Sequence, residues 1–232
     1  MKKENTSVKQ LLWKKGKKMK TVAVIPIKMN NERLPGKNTK LLGDKPLISY
    51  IQESLLKADG IDEIYVFCSN PEIKNFILPG VKFLQRDPVL DLPTSNFNQI
   101  FDSFSSLIEA DVYMYAHATA PFITVETINK CLEAVKSGKY DSAFCASKIQ
   151  DYLWCDNKPM NFDATNLPRS QDLKPIYRET SGVYAYTSEV YKNCHRRIGE
   201  NPCVMEVSFK ESIDINNPED FTLAQAALKM SL

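Results

Sequence analysis

The stretch VAVIPIKMNNERLPGKNTKLL, Val22 to Leu42, begins as a buried strand and ends as a cationic loop. Its apolar run closes at Pro26 and Ile27. From Lys28 to Lys40, four basic side chains (Lys28, Arg33, Lys37, Lys40) face one acid, Glu32, and one glycine, Gly36. In an open α/β sheet, the loops at the carboxyl ends of the strands carry the ligand-binding groups. A cationic loop at that place suits an anionic ligand, which backbone N–H groups and ammonium or guanidinium groups hold together.

Working outward, apolar runs alternate with amphipathic ones. Strands are expected at 21–27, 63–69, 81–86, 111–118, 140–149, 203–207 and 211–215, a strand passing into a short helix at 181–191, and helices at 46–58, 70–78, 95–110, 124–138 and 217–230. Ser95 reads as the cap of the third helix, Thr124 and Thr127 open the fourth, and Asn217 with Pro218 opens the last. Tyr184 and Tyr186 alternate with Val183 and Ala185, so one tyrosine is expected to face inward and pack in the core. Such alternation predicts a mostly parallel, Rossmann-like sheet covered by helices on both faces. Between 150 and 180 the rhythm breaks around Trp154, which predicts an excursion from the sheet, read as a hairpin arm.

The chain has 232 residues and a net charge of +2, but the charge is unevenly placed. Residues 1–20 hold eight lysines and one glutamate, whereas the remainder holds 22 basic and 27 acidic side chains. The body is therefore mildly acidic, which argues against a nucleic-acid footprint and makes the positive charge of the 28–40 loop local. The extension over 1–18 reads as a frayed or helical tail or a product of an upstream start codon, with a nucleic-acid arm or membrane-surface anchor as the alternatives. Its apolar cluster Leu11–Trp13 is too short to cross a bilayer. No membrane partner and a cytoplasmic location are the expectation. Six cysteines without a CxxC pair, and two distant histidines, read as reduced structural thiols and no zinc site.

The strand and loop resemble the opening signature of the bacterial sugar cytidylyltransferases, in particular the acylneuraminate (CMP-sialic acid) synthetases. The family opening runs I-P-A-R-x-x-S-K-x-x-x-x-K-N, and here Ile25, Pro26, Lys28, Lys37 and Asn38 stand in its places. KLLGDKPLISYIQESL is similar to the first helix of the family and HATAPFIT to its Q-P-T-S-P-type turn. RSQDLKPIYRETSGVYAY is similar to the R-x-Q-D-L stretch and ESIDINNPEDF to the closing acidic motif. Four motifs in order, from residue 20 almost to the end, imply one nucleotidyltransferase domain of GT-A-like fold over 19–232. The arm at 150–180 would serve dimerisation.

What the resemblance implies for single residues is specific. Lys28, Arg33, Lys37 and Asn38 would meet the nucleotide, with Arg86 and Ser95 beside it, Ser95 being equally explained as a cap. His117, Arg169, Gln171 and Arg178 would meet the second substrate; an arginine fork suits a carboxylate because it binds two oxygens at once. Asp214, with Asn216, would hold Mg²⁺, and Lys37 and Asp214 would carry catalysis. The chain departs from the family pattern at Lys28 (arginine there), at Glu32 (lysine) and at Asn216 (aspartate). The implied function is activation of an acidic sugar, a nonulosonic acid, with CTP to give a CMP-sugar and pyrophosphate in a homodimer. Phosphonate or sugar-phosphate nucleotidyltransfer on the same fold, and a nucleotide-binding relative without catalysis, are the alternatives.

Overall fold

Alternate residues of the first strand go to opposite sides of the sheet, and each side has its own chemistry. In the computed structural model, which describes residues 18–230, the elements follow in order: β1 (Thr21–Ile27), β2 (Leu41–Leu42), β3 (Lys45–Pro46), α1 (Leu47–Lys57), β4 (Glu63–Cys68) and β5 (Lys82–Gln85). Then come α2 (Phe97–Leu107), β6 (Val112–Ala116), α3 (Val125–Lys136), β7 (Ser142–Ile149), β8 (Trp154–Cys155) and β9 (Lys158–Pro159). The chain closes with β10 (Ile176–Thr187), α4 (Ser188–Cys194), β11 (Pro202–Glu206) and α5 (Pro218–Lys229). The main sheet has seven strands in the order β11-β7-β10-β6-β1-β4-β5. All run parallel except β10, which is antiparallel to both β6 and β7.

Ala23, Ile25 and Ile27 of β1 join an aliphatic layer in which α1 (Ile48, Ile51, Leu55) and α3 (Ile128, Cys131, Leu132, Val135) cover the sheet. Val22 and Val24 face an aromatic layer of Tyr65, Phe67, Tyr113, Tyr115, Tyr184 and Tyr186, covered by Phe101 and Phe104 of α2 and Tyr191 of α4. Phe101 is at its centre, edge-on to Tyr113, Tyr186 and Tyr191. Truncating such a ring removes about 3–5 kcal/mol of stability. The helices thus lie on both faces, as the alternation predicts. A third cluster joins Leu34, Leu42, Leu47, Ile213, Ile215 and Phe221 beside the end of the sheet.

Four expectations change and one is refined. Tyr184 and Tyr186 are two residues apart on one strand, so they share a face, and both are buried in the aromatic layer. The 95–110 helix is capped by Asn96, whose side chain accepts from Gln99 N while the Gln99 side chain returns to Asn96 N; Ser95 lies outside this capping box. The helix expected at 70–78 is a 3-10 helix over Pro71–Phe76. Residues 211–215 form no ladder: Ile213 and Ile215 are buried as a strand's would be, but in a loop packed against α5. Finally, β10 starts at Ile176, so the irregular arm ends about five residues earlier than the sequence suggests. The arm carries a small hairpin, β8–β9, turned by Asp156 and Asn157 at positive φ. Of the basic extension, residues 1–17 lie outside the described residues, and Lys18 pairs with Asp62 at 2.7 Å.

Candidate active site

Three segments meet at the carboxyl edge of the sheet: the loop after β1, the turn after β6, and the stretch before α5. The first is shaped by Gly36, whose φ of 65° admits the left-handed turn that starts a 3-10 segment at Lys37–Thr39. Asn38 braces it from inside, its amide donating to Lys28 O at 2.9 Å and Asn31 Oδ1 at 3.3 Å. That leaves the Asn38 carbonyl oxygen, rather than the amide nitrogen, for a ligand. Lys37 then points across the edge and donates from Nζ to Ile215 O at 2.8 Å. Ile215 N in turn donates to Thr119 O at 2.8 Å, so the HATAPFIT turn and the closing motif are one unit.

Arg33 donates to Asn216 Oδ1 at 3.1 Å, and Asn216 Nδ2 donates to Asp214 Oδ2 at 2.6 Å. The segment is held from below by α5, where Asp220 accepts from the backbone N–H of both Asn216 and Asn217. The sequence places Lys37, Arg33, Asp214 and Asn216 in one site, and they are together.

Five buried side-chain polar atoms lack a partner among the described residues, and three belong to residues singled out above: Asp214 Oδ1, His117 Nε2 and Arg86 Nε. Buried polar atoms are normally paired, so orphans gathered at one edge are ready for a ligand. Burial lowers the Lys37 ammonium's pKa, with the Arg33 charge adding to the effect and Asp214 and Asp220 opposing it. Burial also pushes His117 down to about 4, with Arg197 and Lys37 pressing the same way and Asp214 against, so the imidazole is neutral at pH 7. Its ring packs beside Tyr115 and Tyr184. Its backbone N–H donates to Gly182 O at 3.2 Å, where a Cβ on Gly182 would lie 2.7 Å from Ile123 Cδ1. A side chain at 182 would have to displace the end of Ile123.

For a divalent ion, the fit is partial and specific. No group of three or more His, Cys, Asp or Glu side chains that could hold a metal occurs among the described residues. Asp214 Oδ1 offers one carboxylate oxygen, which suits Mg²⁺ held largely by phosphates and water. The Asn216 carbonyl oxygen, expected as a second ligand, accepts from Arg33 here.

Arg86, expected at the nucleotide, is buried at the end of β5, over the Phe67 ring and paired with Asp91. Ser95 donates to Val89 O in the loop before α2. Lys28 is half-buried and its carbonyl serves the loop brace. Arg169, Gln171 and Arg178 are not in this cluster. They are exposed in and beside the arm, Arg169 forked onto Asp172 and Arg178 bonded to Ser147. Sequence reasoning missed Arg197, whose charge acts on His117, Tyr115 and Tyr184. Nothing in its local sequence, an exposed turn with two adjacent arginines, sets it apart.

Over 92% of its length, the chain is 27% identical to the CMP-N,N'-diacetyllegionaminic acid synthase of Legionella pneumophila, 98% of which is covered. It is 26% identical to the pseudaminic acid cytidylyltransferase of Campylobacter jejuni over 75% of this chain and 81% of that one. It is 24% identical to the N-acylneuraminate cytidylyltransferase A of Danio rerio over 88% of this chain, and there it spans about half (49%) of the relative. Among solved structures, a CMP-2-keto-3-deoxy-manno-octonic acid synthetase complexed with CTP superposes with a TM-score of 0.70 at 19% identity, covering 92% of this chain and all of that one. The 4-diphosphocytidyl-2C-methyl-D-erythritol synthase of Anaerococcus prevotii shares the fold at a TM-score of 0.66 and 14% identity, covering 91% and 96%. The cytidylyltransferase family profile matches residues 22–223, and the chain belongs to that family.

Proposed function

We propose that the protein transfers CMP from CTP to a hydroxyl of an acidic sugar of the nonulosonic class, releasing pyrophosphate. The observation that carries this reading is the convergence of Lys37 and Arg33 with Asp214, one of whose carboxylate oxygens is free, at the carboxyl end of the first strand. The substrate class is supported by relatives that make CMP-legionaminic acid or activate pseudaminic and N-acylneuraminic acids.

In this reading, the sugar oxygen attacks the α-phosphorus and gives up its proton, while the bond to the β-phosphate breaks and pyrophosphate leaves. Lys37 has N–H groups beyond the one held by Ile215 O, and its buried charge strengthens toward the developing negative charge. Arg33 neutralises the same phosphates from the loop. Arg86, with Nε free, and the Asn38 carbonyl would meet the nucleotide, and neutral His117 a sugar hydroxyl. Mg²⁺, held through Asp214 Oδ1, would supply neutralisation of the phosphate charge.

The domain is read as a single catalytic unit from about residue 19, with the arm inserted at 150–175. We assign the arm to a homodimer contact, because Trp154, Met160 and Leu167 are each more than half exposed. Tyr152 and Trp154 both pack edge-on to Phe162 in a small aromatic cluster of the arm. Six free cysteines fit the reducing cytoplasm.

Mixing the protein with CTP, Mg²⁺ and a panel of nonulosonic acids tests the function. Pyrophosphate release stoichiometric with a CMP-sugar is expected for at least one of them. Release with a phosphonate or a sugar phosphate only, or with none, would overturn the reading.

A further inference from the structure

The chain enters the sheet at the edge opposite the cationic loop, and its charge divides at that point. β4, β1 and β6 run parallel and begin together, with Val22 opposite Glu63 and Thr21 opposite Val112. An acid stands just before each outer strand and holds the incoming segment. Asp62 accepts from Thr21 N at 2.8 Å and pairs with Lys18 Nζ at 2.7 Å, while Asp111 accepts from Lys20 N at 2.8 Å. Lys20 Nζ reaches Glu63 at 2.9 Å. Residues 18–21 are thus strapped to the amino edge from both sides. β1 then crosses the sheet in seven residues, roughly 20 Å at about 3.3 Å per residue, before the 28–40 loop begins.

Two of the eight lysines in residues 1–20 serve that strap. The other six, Lys2, Lys3, Lys9, Lys14, Lys15 and Lys17, precede it, with Leu11, Leu12 and Trp13 set between Lys9 and Lys14. The body that follows holds 22 basic and 27 acidic side chains. A polyanionic surface is therefore drawn to one end of the molecule and repelled by the rest. Composition separates the two polyanions that fit such an end. A nucleic acid read at its bases calls for guanidinium forks, and all eight cations are lysines. A phosphodiester backbone also offers no apolar phase to a Leu-Leu-Trp triplet. An anionic lipid layer attracts lysines by charge alone, and it takes leucines and an indole at the boundary between headgroups and acyl chains. No spanning segment is involved: among the described residues, no helix is long and apolar enough to cross a membrane.

We infer that residues 1–20 dock the protein on an anionic lipid surface, with the lysines at the headgroups and Leu11, Leu12 and Trp13 at the acyl boundary. Of the readings of the extension, this selects the membrane-surface anchor. The strap at Asp62 and Asp111 carries that anchorage to the amino edge of the sheet. The carboxyl edge, with Lys37, Arg33 and Asp214, is then on the far side from the lipid and open to solutes.

The test is co-sedimentation of the full chain, and of a chain lacking residues 2–17, with vesicles of phosphatidylcholine alone or with about 30% phosphatidylglycerol. The full chain should bind the anionic vesicles at least tenfold more tightly than the neutral ones, and added salt should release it. The shortened chain should bind neither. Lys14→Glu with Lys15→Glu should weaken binding at least tenfold, and Trp13→Ser at least threefold with the salt dependence kept. Tryptophan emission should shift to the blue on binding, and the shift should vanish in Trp13→Phe, which leaves Trp154 as the one indole. Saturating CTP, at matched ionic strength, should change the vesicle affinity less than twofold, because lipid and nucleotide are at opposite edges. No binding by the full chain, equal binding by the shortened one, equal affinity for neutral vesicles, or release by CTP would overturn the inference. Tighter binding to duplex DNA than to the anionic vesicles at the same salt would overturn it in favour of a nucleic-acid arm.

Discussion

Arg33 and Asn216, 183 positions apart, are joined by a hydrogen bond of 3.1 Å, and it fixes which way the Asn216 amide points. A guanidinium only donates and a carboxylate only accepts, so Oδ1 must face Arg33 and Nδ2 must face Asp214. Position 216 is therefore a neutral relay between a cation and an anion.

Placing a charge there changes both contacts. Asn216→Asp removes the donor from Asp214 and sets two carboxylates side by side, with Arg33 next to the pair. The Mg²⁺ concentration needed for half-maximal rate should fall several-fold. An unchanged requirement would show that position 216 does not sense the ion.

Asp214→Asn should lower turnover by at least 100-fold, about 2.7 kcal/mol, because Oδ1 is the buried carboxylate oxygen left without a partner among the described residues. The melting temperature should hold or rise, since a partly buried charge is removed. Chelation of divalent ions should silence the wild type equally. Near-full activity of the variant with Mg²⁺ would place the metal elsewhere.

Lys37→Ala should cost about 2–4 kcal/mol in kcat/KM, typical of losing one donor aimed at developing charge. It should also destabilise the fold by about 1 kcal/mol through the orphaned Ile215 carbonyl. Glu32, exposed on the same loop, gives a contrast: Glu32→Ala should be neutral or mildly favourable. Equal losses in the two variants would mean that charge at the loop is not what matters.

His117 gives a pH signature in the metal-free protein. Its folded pKa of about 4 is below the ordinary 6.5, so between those values the unfolded chain takes up a proton that the folded protein refuses. Stability from this source is complete above pH 6.5 and is lost as pH falls toward 4. Relative to His117→Gln, the wild type should lose about 1–3 kcal/mol between pH 7 and pH 4 in urea unfolding. Parallel pH profiles for the two proteins would show that the imidazole titrates freely.

The arm should control assembly. Replacing Trp154 and Leu167 by serine should convert a dimer at micromolar concentration into a monomer by light scattering, with the circular dichroism of the sheet intact. A wild type that is already monomeric and active would refute the assignment.

The sheet was legible because period-2 and period-3.6 patterns are strong where both faces are buried, as in 21–27 and 124–138. Errors arose where a pattern had another cause. Ile213 and Ile215 alternate with Asp214 like a strand, yet both pack beside α5, and the backbone N–H of Ile215 has its partner in a turn, Thr119. Ser95 and Asn96 are both good caps, and the Asn-x-x-Gln spacing to Gln99 was the signal that decides between them. Residues 176–180 read as irregular because Tyr177, Arg178 and Glu179 are exposed where β10 leaves the covered part of the sheet. The cationic loop stood out in the sequence by its charge together with its place after the first strand. Arg197 did not, since its meaning comes from Tyr184 and Glu179, contacts between distant parts of the chain.

The bond from Lys37 to Ile215 also sets an order of events during synthesis. The loop is made early, but its acceptor is made 178 residues later. A nascent chain shorter than about 215 residues has its sheet and most of its helices, yet leaves this ammonium without the carbonyl that seats it. The seat of Lys37 should therefore be completed in one step, once Ile215 and the segment around it are made. A deletion reaching back past Ile215, which spares every strand of the sheet, would act on a loop 178 residues before it.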